Sequence, residues 1–363
     1  MKFAFFVFIS ALALVASDHA FGRTNTTVSI VGEDFHINGK PTYAGRVWQG
    51  HRIEGLLLNS RMVQATFDDR NTNTTTRWAY SDTGRWDADR NTREFIAAMP
   101  DWRRHGLLAV TVNLQGGSPE GYSSSQPWEN SAFDADGSIR ADYFSRLEKI
   151  LDRADELGMV VIVGYFYFGQ DQRLTNEAAV IRATDNTTRW LLEHGWRNVL
   201  VEVNNECNVS YHHDILKPVR VSELIKRVQQ QRADGHRLLA STSYGGDALP
   251  GTNVVAVADF LLVHGNGMSQ PAAVAELVRK TRALCASPKP ILINEDDHYD
   301  FAQPTNNFVA AVSEHASWGF FDFRRRGEGF DEGYQSVPVN WAISSERKRE
   351  FFRLTAEITD LKP

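Results

Sequence analysis

The chain has 363 residues, of which 42% are hydrophobic, so it is long enough to bury a large core. Its 39 basic and 45 acidic residues give a formal net charge of -6, which leaves no excess of positive charge to attract nucleic acid or an anionic lipid surface. A neutral polar ligand is compatible with this charge, and the two cysteines are too few for a disulfide framework.

The first residues have the pattern of a secretory signal. Met1 and Lys2 precede an apolar run over residues 3–15, and the small residues Ala16 and Ser17 follow it. We expect residues 1–20 to be a cleaved signal peptide, and the mature protein to be secreted or periplasmic and free of the membrane. The alternatives are a buried N-terminal helix or an uncleaved anchor, although the run is short for a membrane span.

A hairpin is predicted next. Residues 35–41 place Asn38 and Gly39 between two short segments of alternating character, and Asn-Gly is the strongest short-range hairpin signal. We expect this hairpin to close the bottom of the fold that follows.

The rest of the chain alternates apolar runs of β type with amphipathic helical stretches, which indicates βα units around a parallel sheet. The continuous apolar character of the runs is typical of strands that are buried on both faces. The sequence therefore predicts an α/β fold, a (β/α)8 TIM barrel with a short N-terminal β-hairpin, as one domain over residues 24–363. The eight predicted strands are 55–62, 107–113, 159–165, 199–205, 237–242, 260–264, 290–295 and 319–323.

Helix boundaries agree with this rhythm. Asn91, with Glu94 three residues later, predicts the N-terminus of the first helix through a capping box. Four glycines lie between a helical stripe and a strand, where a left-handed C-cap is expected, namely Gly106, Gly158, Gly195 and Gly235.

Two of the predicted strands end with a carboxylate. Glu206 follows the fourth strand and Glu295 ends the seventh, and an asparagine directly precedes each of them. Active sites of such barrels lie at the carboxyl ends of the strands, so the two side chains are predicted to meet over one cavity. Two carboxylates in one cavity are the equipment for glycoside cleavage, one as proton donor and one as nucleophile or base.

This pattern resembles the clan-A glycoside hydrolases, which are cellulase-like (β/α)8 enzymes with an acid/base Glu after strand four and a nucleophilic Glu after strand seven. The resemblance implies a retaining glycosidase that acts on an oligo- or polysaccharide, with Glu206 as acid/base, Glu295 as nucleophile and Asn205 as a ligand of the sugar. It also implies that His264, at the end of the sixth strand, positions the nucleophile. The chain departs from the family at Cys207, where a proline often follows the acid.

Further substrate-binding candidates follow from position at the strand ends. Arg61 and Asn113 end the first two strands and could contact the nucleophile or a sugar hydroxyl, although Arg61 could instead neutralise nearby aspartates. Tyr167 and Tyr244 follow the third and fifth strands, where their rings could stack on a sugar or pack in the core. Two long loops, 116–133 and 324–341, carry four possible aromatic platforms, namely Tyr122, Trp128, Tyr334 and Trp341.

Two other functions stay open at this stage. The run from Glu295 through Asp296 and Asp297 to His298 could hold a divalent ion in a metal-dependent barrel hydrolase. A carbohydrate-binding barrel without catalysis is the other alternative, although it would have no need of both acids. We expect no cofactor and no metal ion, and we expect Glu202, inside the fourth strand, to be structural.

Overall fold

The structure is a computed structural model that describes residues 26–123 and 125–361. The predicted signal peptide, residues 1–20, lies outside this range. Among the described residues, no helix has the length and apolar character that crossing a membrane requires.

The chain begins with the predicted hairpin. Strand β1 (Val28–Val31) pairs antiparallel with β2 (Asp34–Ile37), which in turn pairs with β3 (Lys40–Pro41). Asn38 and Gly39 form the turn, and both have positive φ, 52° and 74°, as a tight turn of this type requires. A second short hairpin follows, formed by β4 (Val47–Trp48) and β5 (His51–Arg52).

Eight parallel strands form the barrel. They are β6 (Asn59–Arg61), β7 (Ala109–Asn113), β8 (Val160–Phe166), β9 (Val199–Asn204), β10 (Leu239–Ser241), β11 (Leu261–His264), β12 (Ile291–Glu295) and β13 (Gly319–Phe320). Six of them pair in the order β10-β9-β8-β7-β6-β13, and β11 pairs with β12. Isolated contacts close the ring. Leu292 bridges Ser317 and Asp296 bridges Phe320, and the Asp259 backbone N–H donates to the Ala240 carbonyl at 3.1 Å. The predicted α/β barrel is confirmed.

One α-helix follows each barrel strand. The helices are α1 (Ala88–Arg104), α2 (Ala141–Leu157), α3 (Glu177–Glu193), α4 (Val221–Gln230), α5 (Thr252–Val257), α6 (Pro271–Ala283), α7 (Asn307–Ser313) and α8 (Glu346–Thr359). Four short 3-10 helices interrupt the loops at Val63–Thr66, Thr75–Trp78, Asp171–Arg173 and Asp214–Leu216. Gly158 caps α2 in the left-handed conformation, as predicted.

The predicted start of the first helix is wrong. The N-cap of α1 is Asp87, whose side chain accepts from the Arg90 N–H, so Asn91 lies one turn inside the helix. Asn91 is buried there, and its amide donates to the Gln64 carbonyl at 2.8 Å and accepts from the Trp341 indole at 3.0 Å. The polar side chain that resembles a cap therefore joins α1 to two loops.

The hydrophobic core has two layers. Phe35 of the hairpin is fully buried in the inner layer, inside the lower end of the barrel, where its ring meets Phe260 with centroids 6.0 Å apart. The outer layer fills the space between the strands and the helices. Because the hairpin closes the amino ends of the strands, the carboxyl ends are left for the site.

Candidate active site

Glu206 and Glu295 converge over one cavity. One carboxylate oxygen of each lies within 4.8 Å of the other, and both residues line a cavity of about 320 Å³ at the carboxyl ends of the strands. Their side chains are only 14% and 8% exposed. The chain thus brings together two acids from opposite sides of the ring, although 88 residues separate them in the sequence.

The backbone at Glu206 is in the left-handed region, with φ of 48°. A non-glycine residue there carries strain that its surroundings must hold. Ser243 supplies this support, since its hydroxyl accepts from the Glu206 N–H at 2.8 Å and its carbonyl accepts from the Cys207 N–H at 2.9 Å. A side chain at Gly245 would lie 2.8 Å from the Glu206 carboxyl carbon, so glycine leaves the room that the carboxyl occupies.

Arg61 connects three strands beneath the cavity. Its Nε lies 2.5 Å from Glu295, its Nη1 donates to Glu202 at 3.2 Å and its Nη2 donates to Asn205 at 2.5 Å. The guanidinium therefore fixes the orientation of Glu295 and balances part of the negative charge of the site. The alternative, in which Arg61 neutralises Asp68 or Asp69, is wrong because the side chain turns into the barrel.

His264 lies between the two acids. Its Nδ1 is 2.9 Å from Glu206 and 3.6 Å from Glu295, and its Nε2 is 4.0 Å from Glu202. Burial lowers the pKa of His264, but attraction to Glu295 and the hydrogen bond to Glu206 outweigh burial, so the pKa is raised. The imidazole is therefore nearer to the predicted acid than to the predicted nucleophile that the resemblance assigned to it.

The two carboxyl groups differ in proton affinity. Burial raises the pKa of Glu295, and the neighbouring Arg61 and His264 do not fully offset it. Burial also raises the pKa of Glu206, but the hydrogen bond from His264 and the attraction to His264 and Arg61 together outweigh burial, so the pKa of Glu206 is lowered. The two acids and His264 lie close enough together that the protonation of each changes the proton affinity of the others.

Aromatic side chains form much of the cavity wall. Tyr167 lines it as predicted, stacked on Phe168 with ring centroids 4.3 Å apart. Tyr122, on the loop after β7, lines it from the other side and is 58% exposed. The prediction of three further aromatic platforms is wrong, because Trp128, Tyr334 and Trp341 are buried in the outer core layer. A ring in a Gly-rich and Ser-rich loop can pack inward as readily as outward, and sequence does not distinguish the two.

Three predicted sugar ligands do not line the cavity. Asn205 is buried and accepts from Arg61, so it positions the guanidinium. The Asn113 side chain lies inside the barrel against Gly164, below the acids. Tyr244 packs in the outer core layer, with its hydroxyl beside Gly251. Asn113 ends its strand, and Asn205 and Tyr244 follow theirs, but position at a strand end does not determine which way a side chain turns.

The sequence predicts only a structural role for Glu202 and does not identify several other residues of the site. Glu202 is fully buried and points into the barrel toward Arg61 and His264, so it belongs to the charge network of the site. The signal was available, since a charged residue within an apolar strand must be paired when it is buried. Asn266, which donates to Glu295 at 2.5 Å, and the lining residues Ser118 and Gln335 lie on loops where no pattern marks them.

The predicted metal cluster has a structural explanation. Asp296, Asp297 and His298 each offer an atom within 4.8 Å of the others, as do Glu206, His264 and Glu295. Asp296, however, accepts hydrogen bonds from the His298 N–H, the Trp318 indole and the Asn307 amide, so its oxygens tie β12 to α7 and to the next barrel strand. In the other group, the Arg61 guanidinium already supplies the positive charge beside Glu295.

Solved structures share this architecture. No protein-family model and no curated protein matches the sequence. An endo-1,4-beta-mannanase from Rhizomucor miehei superposes with a TM-score of 0.56 at 12% identity, over 93% of this chain and 100% of that one. A glycoside hydrolase family 5 mannosidase from the same organism gives 0.54 at 13%, over 94% and 99%. A beta-mannanase from the blue mussel Mytilus edulis gives 0.52 at 11%, over 92% and 97%. At these identities the likeness establishes the barrel fold.

Proposed function

We propose that this chain is a retaining glycoside hydrolase that acts on an oligo- or polysaccharide, and that Glu206 and Glu295 are its catalytic carboxylates. The observation that carries the proposal is the separation of the two acids, whose nearest oxygens lie within 4.8 Å. Retaining enzymes hold their carboxyl groups about 5–5.5 Å apart, whereas inverting enzymes need about 6.5–9.5 Å to admit a water molecule between the general base and the sugar. The names of the structural neighbours, mannanase and mannosidase, support the hydrolysis of glycosides as the reaction.

The mechanism is a double displacement. Glu295 attacks the anomeric carbon and forms a glycosyl ester while the glycosidic C–O bond breaks and Glu206 gives its proton to the departing oxygen. In the second step Glu206 takes a proton from water, the water oxygen bonds to the anomeric carbon, and Glu295 leaves as a carboxylate. Arg61 stabilises that carboxylate at the start and end of the cycle.

Proton placement must change before the first step. Glu206 needs a proton and Glu295 must have none, whereas in the free site the pKa of Glu206 is lowered and that of Glu295 is raised. The 2.9 Å contact between His264 Nδ1 and Glu206 provides a route by which a proton reaches the Glu206 carboxyl from the imidazole. As the glycosidic bond breaks, the positive charge that develops at the anomeric carbon stabilises the Glu295 carboxylate.

The test is Glu295→Gln. We expect a folded protein whose turnover falls by at least about 10³-fold, as is common when a covalent nucleophile is removed. The measurement is the release of reducing sugar from a glycan panel, followed by trapping of wild-type protein with a 2-fluoro glycoside and peptide mass analysis. The fluorosugar is expected on Glu295.

Glu120→Gln is the matched control, since Glu120 is an exposed acid on a loop of the same face. Near-normal turnover of Glu295→Gln, or a label on another residue, would refute the assignment. Binding without release in the wild type would favour a non-catalytic carbohydrate-binding barrel, and loss of release in chelator would favour a metal-dependent hydrolase.

A further inference from the structure

The cavity occupies one side of the barrel mouth. Besides the two acids, its lining includes Arg61 of β6, Tyr122 from the loop after β7, Tyr167 from the loop after β8 and Phe321 from the loop after β13. Within the described part of the chain, no residue of the loops after β10 and β11 lines it. The cavity therefore extends from the acids toward β6 and β13, and away from β10 and β11.

A wall closes this cavity at its far end. The Tyr122 hydroxyl donates to Asp297 at 3.1 Å, which connects the loop after β7 to the loop after β12 across the ends of β6 and β13. The Tyr122 ring packs edge-on against Phe321 and Phe323, with centroids 5.8 and 5.1 Å away. Gly121 makes this approach possible, because a side chain there would lie 2.7 Å from the Phe323 ring.

The base of the wall is also fixed. Gln335 is buried and its amide donates to the Ser118 carbonyl at 3.0 Å, while the Val337 N–H donates to the Pro119 carbonyl at 2.8 Å. These bonds join the loop that carries Tyr122 to the loop after β13. Polar and aromatic contacts from the loops after β7, β12 and β13 thus hold this wall in place. We call Tyr122, with Asp297, Phe321 and Phe323 against it, the Tyr122 wall.

Cavity size and direction limit what can bind. A volume of about 320 Å³ is at the lower end of the roughly 300–1,000 Å³ typical of small-molecule sites, so it holds a single sugar unit better than a row of them. In a double displacement the attacked sugar lies over the nucleophile, and the leaving part of the glycan lies beyond the acid. The leaving part therefore extends past Glu206 toward β10 and β11, and the sugar between Glu295 and the Tyr122 wall has no room for a further unit.

We propose, resting on the proposed function, that this enzyme is exo-acting: it removes single sugars from the non-reducing end of a glycan, and Tyr122 determines this mode of cleavage. A glycan chain that continued beyond the attacked sugar would have to pass through the Tyr122–Asp297 contact. Tyr122 is a specificity-determining residue in this scheme, because it shapes the end of the cavity and takes no part in bond cleavage.

The test compares free and blocked chain ends. A panel of 4-nitrophenyl monoglycosides first identifies the sugar that is released. A reducing-end-labelled tetrasaccharide of that sugar is then compared with the same compound carrying a benzylidene group on its non-reducing terminal unit. We expect the free compound to lose one sugar at a time and the blocked compound to react at least about 100-fold more slowly.

Variants connect this behaviour to the wall. Tyr122→Ala is expected to raise the ratio of blocked to free cleavage by about tenfold or more, and Tyr122→Phe, which keeps the ring but loses the bond to Asp297, by less. Phe330→Ala is the matched control, because Phe330 is an exposed aromatic on the loop after β13 that does not line the cavity. Its ratio is expected to equal that of the wild type.

The outcomes separate the two proposals. If neither the 4-nitrophenyl glycosides nor the glycan panel is hydrolysed, the proposed function is refuted and this inference with it. If glycans are hydrolysed but no monoglycoside is, or if the blocked tetrasaccharide is cut internally as fast as the free compound, only the exo mode is refuted. An unchanged ratio in folded Tyr122→Ala would remove the role of Tyr122.

Discussion

Glu206 combines a strained backbone with a carboxyl that hydrogen-bonds to His264. Its left-handed φ costs on the order of 1–3 kcal/mol, so the surrounding contacts must outweigh that energy. Ser243 holds the backbone and the buried His264 holds the carboxyl. In the proposed mechanism, the proton donor is therefore already oriented when a sugar arrives, which is how an acid at a fixed distance contributes to catalysis.

Removal of this acid should affect substrates unequally. We expect Glu206→Ala to lower kcat/KM by roughly 10²–10⁴-fold on glycosides with poor leaving groups, and far less on activated aryl glycosides, whose oxygen departs without a proton. Steady-state kinetics on both kinds of substrate measure the difference. Glu223→Ala, which removes an exposed helical acid, should change neither rate. Equal losses on both substrates would exclude Glu206 as the acid.

The sequence predicts some residues of the candidate site and does not predict others. The two acids can be predicted because they come at the ends of apolar strands, and the carboxyl ends of all barrel strands lie at the same end of the barrel. Tyr122 and Tyr244 cannot be told apart in the same way, since the direction of each ring depends on where its loop runs. The path of the Tyr122 loop is determined by contacts with Phe323 and Gln335, which are about two hundred residues away in the sequence.

Among the elements, α8 has an unusual charge in its buried face. Lys348 is fully buried, donates to the Asn340 carbonyl at 2.6 Å and lies 4.2 Å from the centre of the Tyr334 ring. Burial lowers the pKa of Lys348 to about 7, although Asp322 and Glu332 attract the charged form. A lysine in this state gives the helix a stability that depends on pH.

We expect the free energy of unfolding to rise between pH 7 and pH 9 through Lys348. The unfolded chain keeps the lysine proton up to about pH 10.4, whereas the folded chain releases it near pH 7, so the unfolded state binds more protons in this window. The contribution approaches about 1.4 kcal/mol per pH unit. Urea unfolding at several pH values should give a smaller slope for Lys348→Met than for the wild type. Lys280→Met, which changes an exposed lysine on α6, should keep the wild-type slope; equal slopes for all three proteins would contradict this account.

Strands were easier to predict than helix ends. Seven of the eight barrel strands lie within a predicted apolar run, and β8 passes the end of its run by one residue, because burial on both faces leaves an uninterrupted signal. The start of α1 was misplaced because Asn91 has the side chain of a cap but is used for tertiary hydrogen bonds, while Asp87 makes the cap. Local pattern does not reveal which of two suitable residues the rest of the fold engages.

In the whole molecule, the hairpin closes one end of the barrel and the cavity with the two acids lies at the other end. Phe35 lies in the inner core layer at the amino ends of the strands, and the acids lie at the carboxyl ends. Sequence predicted this division from the Asn-Gly turn and the strand ends. It could not predict the network of Arg61, Glu202 and His264 between them, because those side chains meet only when the sheet closes.

Phe35→Ala should lower stability without damaging the chemistry. Truncation of a fully buried phenylalanine is expected to lower the free energy of unfolding by about 3–5 kcal/mol. Denaturant unfolding measures the loss, and kcat of the folded variant should stay near that of the wild type. Val31→Ala, which shortens an exposed side chain of the same small sheet, should change stability by less than about 0.5 kcal/mol. A comparable loss in both variants would show that Phe35 does not close the barrel.

The position of Phe35 also affects the order of assembly. Phe35 is synthesised early in translation. Phe260 and Leu292, which share its core layer, are synthesised only after most of the chain has been made. Until translation is nearly complete, this apolar side chain has no core layer to pack into, so it is exposed to chaperones or to non-native contacts. Completion of the barrel floor is therefore a late event in the biogenesis of this protein.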